Sequence, residues 1–366
     1  MKSGEHPTTV RRSALATVRQ NANVRRQTPT ASPGYSMRLL IRIVLVGIAG
    51  LAIAAGLSIA LGGPGTPLPM TSINEAFKGV DYSDLAPLTN YRARDSSSLA
   101  FRYYPPRGGK ARGSVVLLHG SSASSRSMHS MAKAFADAGY AAYALDVRGH
   151  GNSGVKGDIG YVGQLEDDLE DFVRGVGPAA PATLVGFSSG GGFALRVAGS
   201  DRRSMFASYL LLSPFISQEA QTYRPGSGGW ASVGVPRYIA IAVLDGFGIH
   251  AFDHLLVVRY ALDDEAKKFL TSAYSFNLAQ NYRPKRDYKA TIRAVDRPLR
   301  VIAGQNDELF HSDRFEAVFR AEGKNVPVDL IPGVDHIGLS LDPRALRAAV
   351  EAVNQLLAGP GEGSGR

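Results

Sequence analysis

The chain has 366 residues, enough for one large α/β domain with an insertion or for two modest domains, and 44% of them are hydrophobic, which supports a substantial core. It holds no cysteine, which excludes disulfides, thiolate metal sites and a cysteine nucleophile. The net charge of +9 is gathered at one end, where residues 1–42 carry eight basic side chains against Glu5 alone; the remainder is close to neutral, and a nucleic-acid partner has little support.

In chain order, residues 1–42 read as a basic, disordered, cytoplasmic tail. Residues 43–61, IVLVGIAGLAIAAGLSIAL, form an uncharged 19-residue run, long enough to cross a bilayer core. Arg38 and Arg42 abut it, and the next charge is Glu75. The positive-inside rule then predicts a single-pass anchor with the N-terminus cytoplasmic and everything beyond it extracytoplasmic. Ser58-Ile59-Ala60 has the small-residue spacing of a signal-peptidase site, so export after cleavage near Ala60 is the alternative. Met37 is a second possible start, which would give the run an ordinary signal-peptide or anchor shape. Residues 62–87, opening with GGPGTPLP, read as a linker.

Beyond the linker, residues 91–105 predict a hairpin around Arg94-Asp95-Ser96-Ser97-Ser98. Continuous apolar strands are expected at 114–118, 141–146, 182–185, 209–212, 299–303 and 326–331. Helices are expected at 128–138, 165–173 and 343–357. Continuous apolar strands alternating with helices mean a parallel sheet covered on both faces. Between 216 and 290 the rhythm breaks into a polar, glycine-rich stretch and an apolar, helix-like one at 238–262, which predicts an inserted helical cap. Residues 359–366 read as a flexible tail. No internal repeat is present.

The chain is organised around ATLVGFSSGGGFALRV at 182–197. It reads as a buried strand, a turn carrying Gly186-Phe187-Ser188-Ser189-Gly190, and a helix. A serine on so sharp a strand-to-helix turn holds its Oγ above the sheet end, and the positions two before and two after it must be nearly free of side chain. Gly186 and Gly190 meet that demand. The helix N-terminus beneath Ser188 offers unpaired N–H groups and positive dipole where an oxyanion would form.

His119-Gly120 after a strand, LDVRGHGNSG at 145–154, GFSSGG at 186–191, AGQND at 303–307 and GVDHIG at 333–338 stand in order over residues 88–358. This pattern resembles the α/β-hydrolase family, in its branch of monoacylglycerol lipases, lysophospholipases and serine aminopeptidase-like enzymes. The elbow has Phe187 and Ser189 where the family often has His and Met. The resemblance implies an α/β-hydrolase core at 88–215 and 291–358 and the chain order serine, acid, histidine. His336 matches the family's base, and Asp307, soon after the strand at 299–303, its acid; Glu308, Asp313 and Asp335 are competitors. The backbone N–H groups of Ser121 and Ser189 are implied as the oxyanion hole. His119, His150, Asp146 and Arg148 read as structural. His250 and His254 flank Asp253 at helical spacing but lack the further ligands of a metal site.

The expected activity is a serine carboxylic-ester hydrolase of monoacylglycerol or lysophospholipid type, using Ser188, His336 and Asp307 through an acyl-enzyme, with no metal or cofactor. A peptidase or amidase and an acyltransferase on the same residues are the rivals, and a catalytically silent binding domain is the reading from another class. The implied partners are a small-molecule or lipid ester and, through residues 43–61, a membrane.

Overall fold

The computed structural model describes residues 33–358; the tail expected before residue 33 and that expected at 359–366 lie outside the described residues. The chain divides into two units inside one long helix, α1 (Pro33–Leu61), the first ending at Ala52 and the second beginning at Ile53. Residues 33–42, expected in the tail, belong to α1, where Leu39, Leu40 and Arg42 are good helix formers. The 25-residue segment Met37–Leu61 is long and apolar enough to cross a membrane, with a mean hydropathy of 2.5 in its most apolar 18 residues. Membrane spans and signal sequences share that length and composition.

The second unit is built on an eight-stranded sheet. β1 (Leu88–Arg92) and β2 (Ser98–Tyr104) form the expected antiparallel hairpin. There follow β3 (Ser114–Leu118), α2 (His129–Asp137), β4 (Ala141–Leu145), α3 (Gln164–Val176), β5 (Ala182–Phe187), α4 (Ser189–Ala198) and β6 (Ser208–Leu212). β3, β4 and β6 are buried at every position, and β5 at all but its first, as continuous apolar runs require when both faces of a sheet are covered.

The insertion comes next. It contains β7 (Ala231–Val233), α5 (Val235–Gly246), β8 (Leu256–Tyr260), β9 (Ala273–Ser275) and α6 (Phe276–Asn281). The helical cap expected here is in fact mixed, because β7, β8 and β9 pair antiparallel as a small separate sheet. The helix expected over 238–262 stops at Gly246, near Gly248 at φ 78°, and the β-branched LVVRY run takes the strand conformation. A small core of Ile59, Ala240, Ile241, Val257 and Phe276 lies beneath this element.

α7 (Tyr288–Ala294) packs on α4, so the expected boundary at 290 falls inside a core helix. The chain then closes with β10 (Leu299–Gly304), α8 (Phe315–Ala321), β11 (Val328–Ile331) and α9 (Pro343–Ala358). The strand order is β1-β2-β4-β3-β5-β6-β10-β11, parallel from β4 onward.

Residues 62–87 are not a free linker. Thr71–Asn74 forms a helical turn, Ile73 is buried, and Phe77, one turn later, packs against the main core. The Gly/Pro composition of 62–69 concealed that short apolar i, i+4 pair.

Candidate active site

β5 delivers Ser188 to the end of the central sheet, where α4 begins. Ser188 has φ 55° and ψ −118°, a strained conformation for a residue with a Cβ. Backbone bonds hold it there: its N–H donates to the Leu212 carbonyl at 2.9 Å, and its own carbonyl accepts from Gly192 and Phe215, each at 3.0 Å. The flanking glycines are needed sterically. A Cβ on Gly186 would overlap the Gly190 carbonyl oxygen, and one on Gly190 the carbonyl oxygens of His119 and Leu118. Gly190→Ala is therefore expected to destabilise the fold by about 1–3 kcal/mol in urea unfolding, the usual cost of overpacking a tight interior. Stability equal to the parent would show that the turn has room to spare.

Asp307 lies in the loop after β10 and His336 in the loop after β11, and the two meet. His336 Nδ1 is 2.8 Å from Asp307 Oδ2, with both residues almost wholly buried. The other carboxylate oxygen, Oδ1, accepts the N–H groups of Leu309 at 2.8 Å and Phe310 at 2.9 Å. Burial pushes the Asp307 carboxyl up, but the facing His336, with help from the Phe310 N–H, outweighs it and holds the group below the usual carboxylate range. The His336 ring lies between two aromatic rings, with centroids 4.8 Å from Phe187 and 5.3 Å from Phe310. The elbow phenylalanine thus helps set the plane of the imidazole.

The competing carboxylates are placed otherwise. Glu308 accepts the backbone N–H of His336 at 3.0 Å, Asp335 accepts that of Gly338 at 2.7 Å, and Asp313 is exposed.

Ser188 and His336 line one cavity of about 620 Å³, together with Gly120, Ser121 and Ser122. Ser121, Ser188 and Ser189 also border a smaller cavity of about 90 Å³. The Ser122 N–H is engaged by the Tyr274 hydroxyl at 2.7 Å, and Ser121 Oγ accepts the indole N–H of Trp230 at 2.9 Å.

The loop carrying Gly120 to Ser122 is fixed by histidines that act structurally. His119 has Nδ1 2.8 Å from the Gly120 carbonyl, and its Nε2 accepts the Val147 N–H at 3.2 Å. His150 meets the Tyr274 hydroxyl, and Tyr282 donates to the His119 carbonyl. Burial pushes both imidazoles down, which keeps them neutral. Asp146 and Arg148 are structural as well: Asp146 accepts the N–H groups of Ser125 and Asn152, and Arg148 grips Asp168 with a two-pronged bond, both contacts 2.7 Å.

Sequence reasoning missed Trp230, Tyr274 and Tyr282, which come from the insertion and carry no motif. It also missed the wall built by Ile73, Phe77, Val80 and Tyr82. The His250 and His254 pair is not assembled; His250 Nδ1 lies 2.8 Å from Asp245 and 3.0 Å from Asp253 instead, while His254 is exposed.

The parallel sheet with its antiparallel hairpin, the serine at the strand-to-helix turn, and the carboxylate and imidazole on successive strand-end loops define an α/β-hydrolase. Residues 109–340 match the family described as serine aminopeptidase, S33, and the chain belongs to that family. It is similar to a monoacylglycerol lipase of Mycolicibacterium smegmatis, 41% identical over 87 residues, a match spanning 22% of this chain and 30% of that protein.

Among solved structures, a soluble variant of the monoglyceride lipase of Saccharomyces cerevisiae superposes with a TM-score of 0.56 at 18% identity, over 76% of this chain and 97% of that one. A membrane phospholipase A described as a bacterial virulence factor gives 0.51 at 15% identity, over 88% and 99%. A putative aryl esterase of Burkholderia cenocepacia gives 0.54 at 19% identity, over 74% and 100%. These structures carry the fold.

Proposed function

We propose that the protein is a serine hydrolase of carboxylic esters with an acyl-lipid-like substrate, of monoacylglycerol or lysophospholipid type. Ser188 Oγ attacks the acyl carbonyl while His336 Nε2 takes its proton. Asp307 holds His336 in the tautomer that can accept it and balances the imidazolium that results. The N–H groups of Ser121 and Ser189 receive the oxyanion, each such donor contributing about 3–4 kcal/mol to the transition state. His336 returns the proton to the leaving alcohol, and water then cleaves the acyl-enzyme by the same route.

The observation that carries this reading is the placement of Ser188 and a carboxylate-held His336 on one large cavity with an apolar wall. At about 620 Å³ it lies within the range of pockets that enclose small organic ligands. Ile73, Phe77, Phe269 and Leu270 on that wall suit an acyl chain better than a peptide. The monoacylglycerol lipase similarity favours the same class.

The test uses the full chain. It is expected to label with a fluorophosphonate probe, which reports an activated serine. It is also expected to hydrolyse p-nitrophenyl esters of medium or long acyl chains faster than aminoacyl anilides. Faster anilide cleavage would turn the reading to a peptidase, and failure to label would leave a binding domain.

The catalytic unit is proposed to lie outside the cytoplasm, held by residues 43–61. Reversed topology would place Arg38 and Arg42 on the translocated side, against the positive-inside bias, which follows Lys and Arg close to the span. Alkaline phosphatase fused after residue 80 should be active, and a cytoplasm-only reporter at that point silent. The opposite pattern would place the hydrolase in the cytoplasm.

A further inference from the structure

Helix α5 is apolar on both sides. Ala240 and Ile241 turn inward onto Ile59, Val257 and Phe276. On the other side Val235, Ile239 and Val243 follow one another at i, i+4 and i+8, with Phe247 just beyond, and all four are exposed, Phe247 at 80%. A helix apolar all round is normally buried in protein or in lipid. This one has a face that none of the described protein covers.

Its two charged residues are both engaged. Asp245 lies 2.8 Å from His250. Arg237 spreads its guanidinium over three carbonyl oxygens: Ile59 at 2.7 Å, Ala60 at 3.1 Å and Leu256 at 3.0 Å.

The first two of those carbonyls belong to the last turn of α1. The final four C=O groups of a helix have no partner within it. Ser58 is satisfied by the Gly62 N–H at 2.9 Å, and Ile59 and Ala60 by Arg237. The insertion thus caps the end of the apolar helix. The approach is close, since a Cβ on Gly62 would meet Pro236 Cβ at 2.7 Å and the Arg237 nitrogen at 2.8 Å.

The following residues continue along the same element. Arg259 donates to Thr66 Oγ1 at 3.2 Å, and the Met70 N–H donates to the Ala261 carbonyl at 3.0 Å.

We propose that α5 is an interfacial helix, lying in the bilayer surface where α1 leaves the membrane, with Val235, Ile239, Val243 and Phe247 turned to the acyl chains and Arg237 clasping it to the end of α1. The occupant of the exposed face is lipid, because α5 is packed on the last turn of a helix that is itself exposed and apolar, with Leu57 and Leu61 bare. An apolar helix face at a membrane surface sinks a few ångströms into the headgroup and acyl boundary. The inference rests on the reading of α1 as a retained span. Cleavage near Ala60 would remove the two α1 carbonyls that Arg237 holds and leave only that of Leu256.

The absence of native cysteine makes site-specific labelling direct. Val243→Cys, Phe247→Cys and, as a control on the exposed face of α8, Glu316→Cys would each carry an environment-sensitive fluorophore. The full chain is then reconstituted in phosphatidylcholine and phosphatidylglycerol vesicles. Labels at 243 and 247 should be quenched by spin-labelled lipid and shielded from aqueous iodide, and the label at 316 should behave the opposite way. Arg237→Ala should raise iodide quenching at 243 several-fold.

Iodide access at 243 and 247 equal to that at 316 would overturn the proposal. So would shielding from iodide without lipid quenching, which would mean a protein partner or a second copy on that face. Unchanged shielding at 243 in Arg237→Ala would overturn the clasp. None of these readouts depends on ester hydrolysis, so a failure of the catalytic reading leaves the test intact.

Discussion

Ser188→Ala is expected to lower kcat for ester hydrolysis by about 10⁶-fold, to the level left by binding and oxyanion stabilisation alone, and to abolish fluorophosphonate labelling. The loss should be almost purely chemical. The backbone bonds that define the elbow, from the Ser188 N–H to Leu212 and from Gly192 and Phe215 to the Ser188 carbonyl, do not involve the hydroxyl. Alanine at φ 55° carries the same Cβ strain as serine, so the turn gains no new penalty. The thermal midpoint should therefore stay close to the parent's while turnover vanishes. An alanine variant that keeps a tenth or more of the parent rate would remove Ser188 from the reaction and with it the proposed function.

The parts of this molecule that were legible in the sequence are those where one local rule acts alone. β3, β4 and β6 announce themselves because a strand buried on both faces must be apolar almost throughout. Ser188 is legible because its turn tolerates no side chain at Gly186 or Gly190. Asp307 and His336 are less so: their pairing joins two loops 29 residues apart, and only the order of motifs suggested it.

What failed was the insertion. LVVRY at 256–260 is as apolar as the helix before it, and tertiary pairing with β7 and β9 decides its state. Tyr274 and Tyr282 hold the loop around Gly120 through contacts more than 150 residues away in sequence, which no spacing can reveal. Residues 71–83 looked like linker because their use, as a wall of the cavity, depends on a surface supplied by the rest of the fold.

Asp307→Asn is expected to lower kcat by about 10⁴-fold with little change in KM, a loss of the size seen when the acid of such a site becomes an amide. The geometry gives the reason. Asp307 Oδ1 accepts two backbone N–H groups, from Leu309 and Phe310, while Oδ2 faces His336 Nδ1. In asparagine the carbonyl oxygen must take the Oδ1 position, since an amide NH₂ there would oppose two donors. The NH₂ group then faces His336 and forces Nδ1 to accept. The proton moves to Nε2, the nitrogen proposed to receive the Ser188 proton, and the proposed base is lost.

Charge matters as well. Because the Asp307 carboxyl is held below the usual carboxylate range, it stays ionised through neutral and mildly acidic pH, and the stability it contributes is present above the unfolded-state value and lost only as pH falls through the lower folded one. The variant should accordingly lose activity across the whole neutral range rather than merely shift its pH profile. Asp313→Asn and Asp335→Asn, which alter an exposed carboxylate and a turn cap, should keep kcat within a few-fold of the parent. If either of these collapsed turnover while Asp307→Asn retained it, the loop after β10 would not be the source of the acid, and His336 would have to be oriented from elsewhere.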